Sequence, residues 1–277
     1  MTVLSDMQIM QFQKNGYVCP IPVLPVEETR TLRVNLEAFE ATQGGRLKPP
    51  QRNKSHLLFK WLDDLIRDPR VLDPIEQLIG PDLLCWNTLF WIKEAGSKSF
   101  VSWHQDNNYW GLDSHKVVTA WLALAPATPE SGCMRVMPGT HEGDVLDHVD
   151  RYDEHNMLTR GQEIADVLDE ETAVYMPLEV GQMSVHNYRL AHASGPNSSN
   201  DRRIGVSLHF MPPEAAQIVG EWDSAALVRG KDRYGHFERT PVPIKDFDSR
   251  AVAFHARATR AIRDVLYADA EHNTEKL

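Results

Sequence analysis

Residues 103–106 read Trp-His-Gln-Asp, which sets an imidazole and a carboxylate two positions apart. In an extended strand such residues project to one face, so His104 and Asp106 can point together into an interior. Both side chains are metal donors. One further imidazole would complete the two-His-one-carboxylate face that holds Fe(II) and leaves positions open for a co-substrate and dioxygen. That imidazole must come from a distant strand, and of the twelve histidines His192 in LAHASGPN is the leading candidate. Eleven positions beyond it, Arg203 enters a strand-like run. A guanidinium there could take a carboxylate through two parallel hydrogen bonds. Each residue alone has an ordinary alternative. An HxD triplet arises by chance, a lone histidine packs in a loop or core, and a lone arginine closes a surface ion pair.

The elements around these residues change character along the chain. About the first 80 residues read helical: Asp6 to Lys14 ending at Gly16, Val26 to Thr42 with Leu32, Leu36 and Phe39 at helical spacing, and Leu57 to Ile66. Asp68-Pro69 then reads as an N-cap followed by proline at the first helical position, with Asp73-Pro74 as the alternative start. From Leu83 the pattern becomes short strand-like runs: Leu83 to Ile92, Val117 to Leu124, Met134 to Met137, Ala173 to Met176, Gln182 to Val185 and Arg203 to Phe210. Turn signals such as Pro138-Gly139 and Gly195-Pro196-Asn197 separate them. Helices first, then many strands without alternating helices, exclude a doubly wound sheet. The expectation is a mainly β fold with flanking helices, a barrel over about 81–213 with a helical cover, in one domain spanning 1–277. Residues 144–171 read as an acidic insertion of the length often used for lids. A helical tail returns over about 247–270.

Bulk composition removes several classes. A charged fraction of 25% with 42% hydrophobic residues is ordinary for a globular chain. The net charge of -10 argues against nucleic acid, which is held by clustered Lys and Arg. No apolar run approaches the ~20 residues of a membrane span. The opening MTVLSDMQIMQFQKNG has no basic stretch before an apolar core, so no signal peptide is expected. Three scattered cysteines, Cys19, Cys85 and Cys133, read as reduced thiols of a cytoplasmic protein.

HQD followed by NYWGL, then VTAWLALAPATPESGCMRVMPGTHEGD and HASGPNSSNDRR, resembles the phytanoyl-CoA dioxygenase family over about Met7 to Pro213. The resemblance implies a double-stranded β-helix, the cupin-like jelly-roll barrel, in an oxygenase that uses Fe(II), 2-oxoglutarate and O2. By position it implies that His104, Asp106 and His192 bind iron and that Arg203 binds the distal carboxylate of 2-oxoglutarate. Arg202 is the adjacent alternative. Ser194, Lys93 and Trp121 would line the co-substrate pocket, although an inward tryptophan is commonly core and a strand-end lysine commonly solvated. Asn87, Asn107, Tyr109 and His186 are expected on the substrate side.

The reaction implied is hydroxylation of a C–H bond of a small polar metabolite, with release of succinate and CO2. Related halogenases carry a small residue where Asp106 stands, so the carboxylate favours hydroxylation. Desaturation, epimerisation or a non-catalytic metal-binding jelly roll are the alternatives. His141 and Arg135 read as structural, and His209 and His115 as ordinary.

Overall fold

The computed structural model describes residues 3–166, 168–272 and 274. It opens with α1 (Asp6–Asn15), capped by Ser5 in a reciprocal box with Gln8 and stopped by Gly16 at φ 82°. Strand β1 (Tyr17–Pro22) follows, then α2 (Val26–Thr42), the short α3 (Pro49–Arg52), α4 (Lys60–Leu65) and α5 (Pro69–Ile79). Asp68 caps α5 by accepting from the Arg70 amide, so the helix starts at Pro69 and carries Pro74 inside it.

The remaining elements are β2 (Leu83–Lys93), β3 (Val101–His104), α6 (Asn107–Trp110), β4 (Val118–Ala123), β5 (Met134–Val136), β6 (His148–Asp150), β7 (Gln162–Ile164) and β8 (Val174–Met176). They are followed by β9 (Gln182–Asn187), β10 (His192–Ser194), β11 (Arg203–Met211), β12 (Ser224–Arg229), β13 (Glu238–Arg239) and α7 (Ser249–Leu266).

Seven strands pair in the order β1-β9-β4-β11-β2-β12-β13, and four in the order β3-β10-β5-β8. Successive strands cross between the two sheets, as in a jelly roll. The sheets are separate and large; they do not close into one continuous barrel. One cavity lies between them, lined from both.

Alternation along the strands explains why the major sheet seats here. On β11, Ile204, Val206, Leu208 and Phe210 are buried in a core shared with Leu36, Phe59, Leu62 and Ile75 of the helical cover. Each such side chain contributes roughly 1.5–3 kcal/mol by leaving water. Their neighbours Arg203, Ser207 and His209 line the cavity. Strand β4 repeats the pattern, with Val118, Ala120 and Leu122 in the core and Thr119 and Trp121 in the cavity. The polar face of this sheet therefore looks inward, where solvent would ordinarily be.

Several expectations need amending. The HxD motif is not one extended strand: β3 ends at His104, and Asp106 has helical dihedrals (φ −64°, ψ −36°) at the start of α6. Strands β1 and β12 stand where no strand was expected, since each owes its pairing to distant partners. The 144–171 segment contains the β6–β7 hairpin, and Met157, Leu158, Thr159 and Gln162 from it reach the cavity. Cys19, Cys85 and Cys133 are free thiols. No described helix is long and apolar enough to cross a membrane.

Candidate metal and co-substrate site

His104 and His192 face each other across the β3–β10 ladder, their ring centroids 4.1 Å apart. Each Nδ1 lies 2.9 Å from a backbone carbonyl, of Ser102 and Leu190 respectively. A carbonyl can only accept, so both Nδ1 atoms carry hydrogen and both Nε2 lone pairs face the cavity. Carbonyl acceptors on both Nδ1–H groups fix the ring orientation and tautomer that a metal ligand needs. Asp106 Oδ1 lies 3.4 Å from His104 Nε2. One donor atom from each of the three residues lies within 4.8 Å of the others, and among the described residues no other histidine, cysteine or acid forms such a group.

The electrostatics suit a cation held by these three groups. Burial lowers both imidazoles to about 4, keeping them in the neutral, coordinating form. Burial raises the Asp106 carboxyl to about 6, and His192 offsets that desolvation only in part. A divalent ion would complete the offset, and the donor set of two nitrogens and one oxygen suits Fe(II). The residues fit the metal.

Arg203 lines the cavity and is the register partner of Lys93 across β11 and β2, whereas Lys93 is not among the lining residues and reaches the site only through Ser194. Arg203 is 3% exposed, and its Nη1 donates to Gly132 O at 3.1 Å while its Nε has no partner. Among the described residues no carboxylate pairs with it, and burial draws the guanidinium down to about 10. Its Cζ lies 5.3 Å from the Trp121 ring centre. Trp121 can lie there because position 205 is glycine: a Cβ would come within 1.8 Å of the ring's Cζ2.

Lys93 Nζ donates to Ser194 Oγ at 2.7 Å and to the carbonyl of Gly195, and burial lowers the amine to about 6. A buried cation without a counter-charge is costly and marks a site for an anion. Arg202 points the other way, into ion pairs with Glu40 (2.8 Å) and Glu94 (3.0 Å), which leaves Arg203 as the cavity residue.

The other expected residues are placed as follows. Tyr109, His186 and Asn87 line the same cavity. Asn87 has both polar atoms engaged, with the Lys54 amide and with Asn53 Oδ1. Asn107 is not among the lining side chains; its amide donates to Tyr188 O as the chain turns into α6. Arg135 pairs with Glu170 at 3.0 Å, and His141 sits against Gln13 O, both structural. Sequence reasoning missed Thr119, Trp86 and His209 on the cavity wall, together with Ile262 and Leu266 from α7.

A buried His-Asp-His face between the two sheets of a jelly roll, with a free guanidinium at the far end, defines a mononuclear non-haem metal site of the oxygenase kind. Residues 12–205 match the phytanoyl-CoA dioxygenase (PhyH) family, and the chain belongs to that family of Fe(II)- and 2-oxoglutarate-dependent oxygenases.

The fold is similar to the non-heme monooxygenase ThoJ. Its apo structure has 33% identity and a TM-score of 0.84 over 94% of this chain and 98% of that one. The nickel complex of ThoJ gives 31% and 0.78 over 94% and 99%. The probable alpha-ketoglutarate-dependent hypophosphite dioxygenase of Stutzerimonas stutzeri is 27% identical over 66% of this chain and 64% of its own length. The peroxisomal phytanoyl-CoA dioxygenase of Bos taurus is 30% identical over 66% of this chain and 58% of its own. The matched region thus spans less than two thirds of either of these two relatives.

Proposed function

We propose that the protein is an Fe(II)- and 2-oxoglutarate-dependent dioxygenase that hydroxylates a C–H bond of a small polar metabolite. What supports this reading is the presence, in one cavity, of a three-donor metal face and a buried guanidinium without a carboxylate partner.

His104, Asp106 and His192 would hold the iron. When bound, iron and 2-oxoglutarate supply the oxidative chemistry, in which O2 gives one oxygen atom to a C–H bond and the co-substrate leaves as succinate and CO2. The protein's own contribution is binding, orientation and exclusion of water. Asp106 provides the anionic donor, and its carboxylate leaves no room for a halide, which favours hydroxylation.

Arg203 would take the distal carboxylate of 2-oxoglutarate through its fork, with the Trp121 ring beneath it. Lys93 would add a second positive group, since an arriving carboxylate opposes the desolvation that now lowers its amine. The Ser194 hydroxyl accepts from Lys93, so its own hydrogen is free to donate to the same anion. The cavity is then polarised between the metal donors and the Arg203 guanidinium. That polarity would set the direction in which a dicarboxylate lies. Tyr109, His186 and Asn87 line the space left for the substrate, whereas Asn107 is better read as part of the turn that presents Asp106.

The test is substrate-stimulated formation of succinate from 2-oxoglutarate with added Fe(II), screened over small polar metabolites. Succinate should appear in step with an oxygenated product. A protein that neither binds 2-oxoglutarate nor forms succinate with any of them is not this enzyme.

A further inference from the structure

Three polar side chains stand in a row on the cavity face of the major sheet. His186 on β9 pairs in register with Thr119 on β4, and Thr119 pairs with His209 on β11. They are 1%, 3% and 3% exposed. Both ring nitrogens of His186, the Thr119 hydroxyl and His209 Nδ1 are buried without a hydrogen-bond partner. Only His209 Nε2 is engaged, with Ser207 Oγ at 2.9 Å. Neighbouring strands lie ~4.8 Å apart, so the row is about 10 Å long. Buried polar atoms left unmet destabilise a fold, so a row of four of them implies an occupant.

The occupant is neither of the groups already placed. His186 packs against the ligand His192, ring centroids 4.7 Å apart, yet it does not belong to the metal-holding group. Arg203 lies six residues from His209 along one strand, a separation of ~20 Å. A five-carbon dicarboxylate anchored at Arg203 cannot reach it. The row is therefore free for the primary substrate.

Its chemistry is that of neutral groups that both donate and accept: two imidazoles and a hydroxyl, with no carboxylate or cation among them. The wall beside it is flat and apolar. Trp110 stacks on His209 with centroids 4.4 Å apart and planes 15° from parallel, and Trp86 lies 5.1 Å from Trp110. Leu158, Ile262 and Leu266 complete that side.

We propose that His186, Thr119 and His209 form the recognition strip for the substrate, and that the substrate is an aromatic or alicyclic molecule carrying a neutral amide or hydroxyl group. This rests on the oxygenase reading above and narrows its substrate class. The body of the molecule lies on Trp86 and Trp110 while its polar group completes the unmet hydrogen bonds of the row, close to the metal.

The test is calorimetric titration of the full chain, loaded with Ni(II) and 2-oxoglutarate, with four probes: benzamide, benzyl alcohol, toluene and benzoate. Benzamide and benzyl alcohol should bind at least ~10-fold more tightly than toluene, the value of one or two well-made hydrogen bonds. Thr119→Val and His209→Phe should each weaken benzamide by about 5- to 10-fold and leave toluene within about 2-fold. The phenylalanine keeps the stack on Trp110.

Toluene matching benzamide, benzamide failing to bind, or both variants leaving benzamide unchanged overturns the proposal. Benzoate binding best overturns it in favour of an anion site. Comparing benzamide with toluene in the unaltered protein does not depend on either variant folding. The 2-oxoglutarate titration is a separate arm. If 2-oxoglutarate fails to bind while the probe pattern holds, the oxygenase reading falls and the strip stands; the reverse result sinks the strip alone.

Discussion

Replacing Arg203 with methionine separates a binding residue from a packing residue, because only a binding residue loses 2-oxoglutarate affinity without a large loss of stability. In the unliganded protein the guanidinium is buried, and desolvation draws it down to about 10. A displacement of that size is worth on the order of 3 kcal/mol. The sign follows from the direction. The folded chain holds this proton less tightly than the unfolded chain does, and both are protonated throughout the neutral range. The cost to the fold is therefore fully present at pH 7.

Arg203→Met removes that cost and gives up the charged bond to Gly132 O and the buried contact with Trp121, together worth roughly 2–5 kcal/mol. The two nearly cancel, so the unliganded protein should change by no more than about 2 kcal/mol, a Tm shift within roughly 6 °C. Affinity for 2-oxoglutarate should fall. Truncating one partner of a buried, hydrogen-bonded charge pair costs about 2–5 kcal/mol, so a loss on the order of 100- to 1000-fold is expected.

Scanning calorimetry with and without 2-oxoglutarate reads both effects. The unaltered protein should gain ~2.7 kcal/mol at a hundredfold excess over Kd, and the variant nearly nothing at the same concentration. A variant that melts well below the unaltered protein and binds 2-oxoglutarate as before would refute the reasoning and make Arg203 a packing residue.

Asp106→Ala should abolish succinate formation and reduce bound iron measured by metal analysis; full activity in that variant would remove Asp106 from the metal site. Gly205→Ala places a methyl 1.8 Å from Trp121 Cζ2, an overpacking worth roughly 1–3 kcal/mol. It should lower Tm and raise the 2-oxoglutarate requirement together, and an unchanged Tm would show that the ring has room to move. Acid should destabilise the metal-free fold from about pH 6.5 downward. Burial depresses seven histidines, His56, His104, His148, His186, His192, His209 and His255. The unfolded chain therefore takes up protons first, and stability is lost as pH falls toward about 4 and 3, where His104, His192 and His209 titrate. The raised Asp106 opposes this in part. Denaturant midpoints that stay level between pH 7 and 5 would contradict it.

How far the site could be read in advance turned on which contacts are local. The helices carry their stops and caps beside them, as Ser5 with Gln8 and Asp68 with Pro69 do, so their ends were legible. The choice of Arg203 over Arg202 rested on the eleven-residue spacing from His192. Adjacent strand residues face opposite ways, so only one of the pair enters the cavity while its neighbour meets Glu40 and Glu94 on the outside.

The same parity carried from Arg203 by twos reaches Ser207 and His209, yet His209 read as an ordinary histidine. A polar alternate position on an antiparallel strand normally means solvent, and nothing local says that a second sheet covers this one. The kink at Asp106 was hidden for a similar reason. A strand-like Trp-His-Gln-Asp is turned at its end by bonds to remote groups, the Gln105 amide donating to His148 and its side chain to Arg189 O. Ile262 and Leu266 lie far along the chain from the metal motif, and only the docking of α7 brings them to the wall. The proposed recognition strip and the wall beside it draw on residues of this second kind, assembled from β9, β4, β11, α6 and α7. The metal face, by contrast, keeps two of its three donors on adjacent turns of chain. The metal face was readable from the HxD pair only together with His192, the spacing to Arg203 and the family resemblance, while the proposed specificity needed the folded cavity.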